Sequence, residues 1–264
     1  MVGLPRSTFY YQRKALAAPD KYAKMKKRIR RVYARHQGRY GYRRVTDALR
    51  KLGEKISYKT VQKLMQFMGL KSLVRLKKYR SFKVGDLSTA APNILERQFG
   101  AEKLNQKWLT DVTEFHVGGE KLYLSPVMDL CNGEIIAYEM ATRPVLAMVT
   151  TMLRKALKKL PKGVKPILHS DQGWHYRMPL YKELLEKRGV IQSMSRKGNC
   201  HDNAPMESFF AVLKTEYFHL NKFTTVEQLQ RGLKSYIKYY NTVRIKPRLG
   251  TLSPVEYRAQ LLAS

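Results

Sequence analysis

The feature that most constrains the fold is the hydrophobic pattern that begins at Trp108. Apolar and polar residues alternate in WLTDVTEFHV, which indicates a β-strand, and Gly118-Gly119 marks a turn before two more strand-like stretches, KLYLSPVMDL and CNGEIIAYEMA. Helical stretches, at 144–160 and PLYKELLEKRG, then alternate with short apolar stretches, VKPILHS and VIQSMS. Three strands followed by alternating helices and strands predict an α/β fold, a mixed sheet flanked by helices.

The charge of the chain is strongly positive, with 51 Lys and Arg against 20 Asp and Glu. It is also uneven, since residues 1–85 hold 25 Lys and Arg against 3 Asp and Glu. Such an excess repels itself unless a polyanion is bound, so we expect nucleic-acid binding by the N-terminal third. No apolar run approaches a membrane span or a signal peptide, and the two cysteines form no C-x-x-C pair. The cytoplasm is the expected location.

Two short helices are predicted before residue 70. The first carries an apolar stripe from Tyr42 to Leu52 and stops at Gly53, and the second is capped by Ser57 and stops at Gly69. The outline is that of a helix-turn-helix module, and a helical hairpin that touches no DNA is the alternative. The candidate DNA-binding side chains are Arg43, Arg44, Lys59 and Lys63.

The domain organisation follows from these patterns. We predict a basic, helix-turn-helix-like DNA-binding region at 1–85 and a linker at 86–104, where small residues and Pro92 interrupt the periodicity. The catalytic domain is predicted at 105–264 and ends in a helical tail that begins with a long helix at 225–241.

Two aspartates mark one edge of the predicted sheet. Asp111 lies within the first strand of the second domain, where a buried carboxylate is costly unless a partner compensates it. Asp171 ends the strand ILHSD, at the edge where open α/β sheets place their sites. A third acid on a helix would complete a set of oxygen ligands for a hard cation such as Mg²⁺.

Three acids are available for that third position, in SRKGNCHDNAPMESFFAVLKTE. Asp202 or Asn203 is expected to be the N-cap, because Pro205 suits the first helical turn. Glu207 lies at the end of that turn on one face with Lys214, which could offer a cation to a phosphate, whereas Glu216 is expected to be a solvated surface charge. Glu207 is therefore the predicted third ligand, and the run SRKGNCH is predicted to be a mobile active-site loop.

The motifs WLTDVTEF, HSDQG and GNCHDNAPMESFFAVLKTE closely resemble the three acidic motifs of the DDE transposases of bacterial insertion sequences. They resemble the orfB-type branch related to retroviral integrases, in which thirty-five residues separate the second aspartate from the glutamate, as residues 172–206 do here. Lys214 matches the basic residue seven positions after the glutamate. YYNTVRIKPRLGTLSPVEYR is similar to the closing signature of the family, with Arg244 as a candidate DNA contact, although Lys246-Pro247 replaces the histidine and serine of many relatives.

The resemblance implies a ribonuclease-H-like core and two divalent ions, Mg²⁺ or Mn²⁺, with Asp111 between both, Asp171 on one and Glu207 on the other. It implies 3′-end cleavage and strand transfer at the ends of an insertion sequence, in a homo-multimer that bridges two DNA ends. In this family a partner reading frame upstream supplies a further helix-turn-helix, so we expect recognition of the element ends to need that partner or a fusion with it. A non-catalytic DNA-binding regulator or assembly subunit, and a nuclease acting on junctions or RNA hybrids, are the alternatives.

Other polar residues near these motifs are expected to be structural. Glu114 should point to the opposite face from Asp111, and Asp129 falls in a turn. The spacing of His169, His175 and His201 with Cys200 matches no zinc site, and His169 is expected to pack or orient beside the site. Trp174 and Tyr176 could stack on an unpaired base or pack in the core.

Overall fold

The computed structural model describes residues 5–17, 20–73, 91–196 and 200–263. The chain divides into two compact units, Met1–Val74 and Arg75–Ser264, and each is described by itself. Most of the predicted loop SRKGNCH is described, but residues 197–199 of it lie outside these ranges. Among the described residues, no helix combines the length and the apolar character that crossing a bilayer requires.

The N-terminal unit consists of helices. They are α1 (Arg6–Ala17), α2 (Ala23–Arg35), α3 (Tyr42–Lys51) and α4 (Tyr58–Phe67). Helices α2, α3 and α4 pack on one another around an apolar core that includes Ile29, Val45, Leu49, Val61 and Leu64.

The two helices predicted for the helix-turn-helix outline are confirmed as α3 and α4. The Ser57 hydroxyl accepts a hydrogen bond from the backbone N–H of Thr60 at 3.1 Å, as an N-cap should. Gly53 and Gly69 follow the helices with φ of +84° and +68°, which glycine adopts at little cost. Leu52 is an exception to the predicted stripe, because it lies past the end of α3 and is 65% exposed.

The second unit contains one mixed sheet and six further helices within the described residues. The strands are β1 (Lys107–Thr110), β2 (Thr113–Val117), β3 (Glu120–Asp129), β4 (Ile135–Ala141), β5 (Ile167–Ser170) and β6 (Ile191–Met194). The helices are α5 (Leu146–Lys159), α6 (Trp174–Arg177), α7 (Pro179–Glu186), α8 (Ala204–Glu216), α9 (Val226–Thr242) and α10 (Pro254–Ala263).

The strand order confirms the predicted mixed sheet of ribonuclease-H type. Strands β1 and β2 lie one after the other along the same edge of β3, both antiparallel to it, and β4 pairs with the other edge of β3. On the far side, β5 pairs parallel with β1, and β6 pairs parallel with β5. Reading across the sheet, the order is therefore β4, β3, β1 with β2, β5 and β6.

Helices cover both faces of this sheet, because alternate residues of a strand point to opposite sides. Leu109 of β1 packs in a core with α8 and α9, through residues such as Phe209 and Leu233. Trp108, its neighbour, packs in the other core with α5 and α7, through residues such as Met152 and Tyr181. The two cores hold β1, the strand that leads to Asp111, from both sides.

The segment 91–104, predicted as part of a linker, instead packs on the second unit. Leu95 is buried in the core beside α8 and α9. The backbone N–H groups of Ile94 and Leu95 both donate to the Ser193 hydroxyl of β6, at 3.0 and 3.2 Å. The linker prediction failed here because the segment is held by long-range contacts that leave no periodic pattern in the sequence.

The start of the outer edge of β4, at Ile135 and Ile136, is covered by side chains from α9 and α5. The amide of Asn241 accepts from the backbone N–H of Ile135 at 3.0 Å and donates to its carbonyl at 2.9 Å. The Lys159 ammonium donates to the next carbonyl, that of Ile136. These side chains occupy backbone groups that a neighbouring strand would otherwise pair with.

Candidate active site at the sheet edge

Asp111 and Asp171 lie at corresponding positions on two neighbouring parallel strands. The register of β1 and β5 pairs Leu109 with His169, and each aspartate follows directly after the last residue of its strand. Asp111 lies in the break between β1 and β2, which corrects the prediction that it would be inside the strand. The break allows its carboxylate to emerge at the same edge of the sheet as that of Asp171.

Backbone N–H groups hold one oxygen of each aspartate. Oδ1 of Asp111 accepts from the N–H of Val112 at 2.7 Å, and Oδ1 of Asp171 accepts from the N–H of Gly173 at 2.9 Å. The turn at Gly173 is tight, since a Cβ there would lie 3.0 Å from Oδ1 of Asp171 and 3.1 Å from Nε2 of His175. A side chain at this position would push against the carboxylate.

Glu207 lies in the first turn of α8, which begins after Asn203. Of the two residues proposed as the N-cap, the structure selects Asn203, although its side chain bonds to β1 and not to its own helix. Nδ2 of Asn203 donates to the carbonyl of Thr110 at 3.3 Å, so the start of α8 is tied to the residue before Asp111. Glu207 itself is exposed.

The electrostatics of Asp111 show that the three acids face one another. Burial is the largest cause that raises its pKa, to about 8, and the charges of Asp171 and Glu207 add to the rise. The Val112 N–H and the Lys214 ammonium act in the opposite direction. A carboxylate that resists ionisation beside two others is a site where a cation would be strongly stabilised.

Lys214 lies two turns along α8 from Glu207 and is half-buried. Its ammonium lies 5.3 Å from the centroid of the Phe115 ring. Burial lowers the pKa of Lys214, while the charges of Glu114 and Asp111 raise it. The sequence predicts that Lys214 lies on the same face of α8 as Glu207. The effect of the Lys214 ammonium on the pKa of Asp111 agrees with that placement.

The donor set suits a hard divalent cation, since it consists of carboxylate oxygens. Within the described ranges, however, no three acidic, histidine or cysteine side chains are close enough together to hold a metal ion. Asp111, Asp171 and Glu207 supply donors of the suitable type, but in this arrangement the three are too far apart to hold one ion together.

Glu216 and Arg244 correct two predictions from the sequence. Glu216 is buried, not solvated, and its carboxylate accepts from Nη2 and Nε of Arg244 at 2.6 and 2.8 Å and from the Tyr236 hydroxyl at 3.0 Å. Arg244 is 5% exposed, so its guanidinium serves this ion pair and does not face DNA. The residue pattern around Glu216 and Arg244 does not distinguish a buried ion pair from two surface charges.

Asp202, predicted as a possible cap, is buried beside two arginines, Arg97 and Arg196. The sequence indicates no further role for Asp202, because one of its partners, Arg97, lies 105 residues away in the chain. The one signal in the sequence is that Arg196 and Asp202 are six residues apart in a polar stretch, a spacing at which a short loop can bring two opposite charges together.

The aromatic and histidine residues after Asp171 divide between the core and the surface. Tyr176 is fully buried, which excludes base stacking by this residue, and Trp174 is 48% exposed. His175 is buried beside Asp171, and burial lowers its pKa while the aspartate opposes that change. His169 is buried as well, with Nδ1 2.8 Å from the Ser193 hydroxyl.

The two acids expected to be structural are placed accordingly. Glu114 is exposed on β2, with its carboxylate 3.4 Å from the Lys121 ammonium. Asp129 is buried and accepts from the backbone N–H groups of Asn105 and Cys131, at 2.7 and 3.0 Å. Burial raises the pKa of Asp129 to about 6, and both N–H groups lower it.

The candidate DNA-binding side chains of the N-terminal unit are largely accessible. Arg43, Lys59 and Lys63 are exposed on α3 and α4. Arg44 is half-buried, with its guanidinium 5.7 Å from the centroid of the Tyr40 ring. The apolar sides of α3 and α4 face the core, and these basic side chains lie on the other sides of the two helices.

Family models match most of the chain. Models described as Integrase core domain match residues 101–200 and 207–262, and one described as HTH-like domain matches residues 20–78. Both candidate aspartates lie inside the first of these matches, and Glu207 opens the second.

Curated relatives match over nearly the full chain. The putative transposase InsK for insertion sequence element IS150, of Escherichia coli (strain K12), is 53% identical over 97% of this chain and 90% of its own length. The probable transposase for insertion sequence element IS1353, of Shigella flexneri, is 41% identical over 97% of this chain but only 50% of its own length. The HTLV-2 integrase catalytic core domain in complex with magnesium has a TM-score of 0.47 at 14% identity, over 58% of this chain and 95% of that one.

An integrase core preceded by an HTH-like domain defines the class of protein. The chain belongs to the integrase-core transposase family of bacterial insertion sequences, which are DDE-type polynucleotidyl transferases.

Proposed function

We propose that this chain cuts and joins DNA at the ends of an insertion sequence with Asp111, Asp171 and Glu207 as its catalytic carboxylates. The observation that carries the proposal is that Asp111 and Asp171 follow directly after neighbouring parallel strands at one sheet edge, where the charges of Asp171 and Glu207 both act on Asp111. Mutual repulsion of this kind costs stability, so its presence at a sheet edge points to a functional site.

The same three residues would hold Mg²⁺ or Mn²⁺, as two ions. When bound, such ions activate the attacking oxygen and stabilise the leaving oxygen of an in-line phosphoryl displacement. The backbone N–H groups of Val112 and Gly173 each hold one oxygen of an aspartate, which leaves the other oxygen for a ligand. The charges of Asp171 and Glu207 both act on Asp111, so its carboxylate would be among those that hold the ions.

The reaction needs no covalent bond to the protein. Water adds to a phosphorus at the element end as the bond from that phosphorus to the 3′ oxygen breaks, which frees a 3′-hydroxyl. That hydroxyl then attacks a target phosphodiester and displaces its 3′ oxygen. Lys214, whose ammonium acts on Asp111, would orient a phosphate of the DNA beside the carboxylates.

DNA is the proposed partner of both units. Exposed Arg43, Lys59 and Lys63, with half-buried Arg44, would contact phosphates and base edges from α3 and α4. The strong positive charge of the chain supports this role. The proposed reaction places the chain in the bacterial cytoplasm, with the DNA on which it acts.

The active form is proposed to be a homo-multimer that bridges two element ends. A further segment from the upstream reading frame, as a partner or a fusion, is proposed to take part in recognising those ends. This is supported by the relative from Shigella flexneri, of which this chain covers only 50%. That relative therefore carries about as much sequence again beyond the shared part.

The test is strand cleavage and joining by the full chain on duplexes that carry the element ends, with and without Mn²⁺. The variant Asp171→Asn is expected to lose roughly 10³-fold or more of the activity, since carboxylates that act as a set fail together. Glu183→Gln is the matched control, because Glu183 is an exposed acid of α7 paired with Lys187. Full activity of Asp171→Asn contradicts the proposal, and so does the absence of Mn²⁺-dependent cleavage by the wild-type chain when the upstream-frame segment is fused to it.

A further inference from the structure

Asp202 makes a dense set of polar contacts directly before α8. Its residue is 1% exposed. Oδ1 accepts from Nη2 of Arg196 at 3.0 Å and from Nε of Arg97 at 2.7 Å. Oδ2 accepts from Nε and the backbone N–H of Arg196, both at 3.0 Å, and from Nδ2 of Asn93 at 3.3 Å. Five hydrogen bonds fix the position and orientation of this carboxylate.

The donors of these bonds are themselves held by the sheet. Arg196 follows β6, and the backbone N–H of Ser195 beside it donates to the carbonyl of Ser170 at 2.9 Å, next to Asp171. Arg97 and Asn93 flank Leu95, which is buried in the core. Asp202 therefore connects the start of α8 to two segments that cannot move without disturbing the sheet edge.

The next residue adds a third connection. Asn203 donates to the carbonyl of Thr110, which precedes Asp111. The pair Asp202 and Asn203 thus anchors the start of α8 to the ends of β1 and β6. Glu207 lies four residues after Asn203, which is only about 6 Å along the helix axis at a rise of about 1.5 Å per residue. A shift at the start of α8 is therefore passed on to Glu207.

Apolar packing alone would not set this position. Met206, Phe209 and Leu213 bury one face of α8, but hydrophobic contact is not directional and tolerates small rotations and slides. The far end of α8 is fixed by the Glu216–Arg244 pair, nine residues beyond Glu207 in the chain. The directional constraint near Glu207 comes from Asp202 and Asn203.

We propose that Asp202 is a positioning residue for Glu207: by holding Arg196 and Arg97, it sets the register in which α8 presents Glu207 to Asp111 and Asp171. The inference rests on the proposed function, since it gives Glu207 a role at the carboxylate site. It assigns Asp202 no contact with DNA or with a metal ion.

The charge balance of the cluster agrees with this role. The hydrogen bonds of Arg196, followed by those of Arg97, hold the pKa of Asp202 well below its usual range, so the residue stays ionised at neutral pH. The two guanidinium groups compensate its charge within the cluster.

The test compares Asp202→Asn and Arg196→Gln with the wild-type chain. Arg196 has a side chain that is 58% exposed, so Arg196→Gln should fold even where Asp202→Asn does not. Glu216→Gln is the control, because it breaks a buried ion pair at the other end of the same helix. All four chains are taken through hydrogen exchange, Mn²⁺ binding by calorimetry and strand transfer.

Without metal, both test variants should exchange the amides of residues 208–210, the first that bond within α8, faster, with residues 213–216 unchanged. Their affinity for Mn²⁺ should fall by roughly 10-fold or more, as for residues that orient metal ligands from behind. Glu216→Gln should lower the melting temperature yet bind Mn²⁺ with wild-type affinity. A merely structural role would affect the melting temperature and leave the Mn²⁺ affinity unchanged.

The inference is overturned if Arg196→Gln keeps wild-type exchange at 208–210 and wild-type Mn²⁺ affinity. It is also overturned if Glu216→Gln weakens Mn²⁺ binding to the same extent. Failure of the proposed function is distinct from both, since the wild-type chain itself would then show no Mn²⁺-dependent strand transfer.

Discussion

The two units of the chain use charge in opposite ways. In the N-terminal unit Arg43, Lys59 and Lys63 lie on the surface of helices whose other sides form the core. In the second unit the important charges are turned inward, as in the Glu216–Arg244 pair and the contacts of Asp202. Replacing one of several exposed cations should weaken a shared function only slightly. Replacing one partner of a buried ion pair should have a much larger effect, because the other charge is left buried alone.

The largest effect on stability should come from Arg244→Met. It leaves the Glu216 carboxylate buried without its cation, and we expect the free energy of unfolding of the second unit to fall by about 3–5 kcal/mol. Urea unfolding followed by tryptophan fluorescence reports on this unit alone, because both tryptophans, Trp108 and Trp174, lie in it.

Lys187→Met is the surface control for that measurement. It breaks the exposed Glu183–Lys187 pair, which should cost less than about 1 kcal/mol. The double variant Glu216→Gln with Arg244→Met should recover much of the lost stability, because no charge is left buried. Equal losses in the buried and the exposed pair would remove the contrast between the units.

A smaller effect is expected from the double variant Lys59→Gln with Lys63→Gln. If each lysine contacts one phosphate, the slope of log affinity for DNA against log salt should fall by about 2. Activity of the carboxylate site on DNA that is already bound should be unchanged. Lys162→Gln with Lys222→Gln, two exposed lysines of the second unit, is the charge-matched control. Identical salt slopes in the two double variants would argue against DNA binding by α4.

The smallest effect concerns His36, which is buried and stacked on Tyr40 with ring centroids 3.7 Å apart. Burial, followed by nearby arginines, lowers its pKa from 6.5 to about 4. The unfolded chain therefore binds the proton first as pH falls, so the stability from neutral His36 is complete above pH 6.5 and is lost progressively toward pH 4.

The expected loss is about 1 kcal/mol between pH 7.5 and pH 5.5, seen as lower hydrogen-exchange protection in α3 and α4 relative to the intrinsic exchange rate at each pH. His36→Phe keeps an aromatic ring on Tyr40 and should remove this pH dependence. The same pH dependence in His36→Phe would assign the effect to another group.

The sequence predicts the local features of both units well. Strand alternation, the Gly118-Gly119 turn and the Ser57 cap depend on neighbouring residues, so the pattern alone reveals them. The pattern also predicts that Asp111 and Asp171 lie at one end of adjacent sheet elements, whereas the parallel register that aligns them is known only from the structure.

Contacts between distant residues were not predictable in the same way. The burial of Glu216 depends on Arg244, 28 residues away, and Asp202 is bonded to Arg97 across 105 residues. The packing of Leu95 against α8 and α9 likewise has no local signal. The orientation of the three acidic side chains likewise depends on how α8 packs on the sheet, which no residue pattern encodes.

The side-chain amide of Asn241 has a consequence for assembly. By pairing with both backbone groups of Ile135, it acts as a one-residue substitute for a neighbouring strand, and Lys159 extends the cover to Ile136. Another copy could not pair with the first two residues of β4 without first displacing these two side chains. Addition of a strand from a second copy is thereby opposed at this end of the edge.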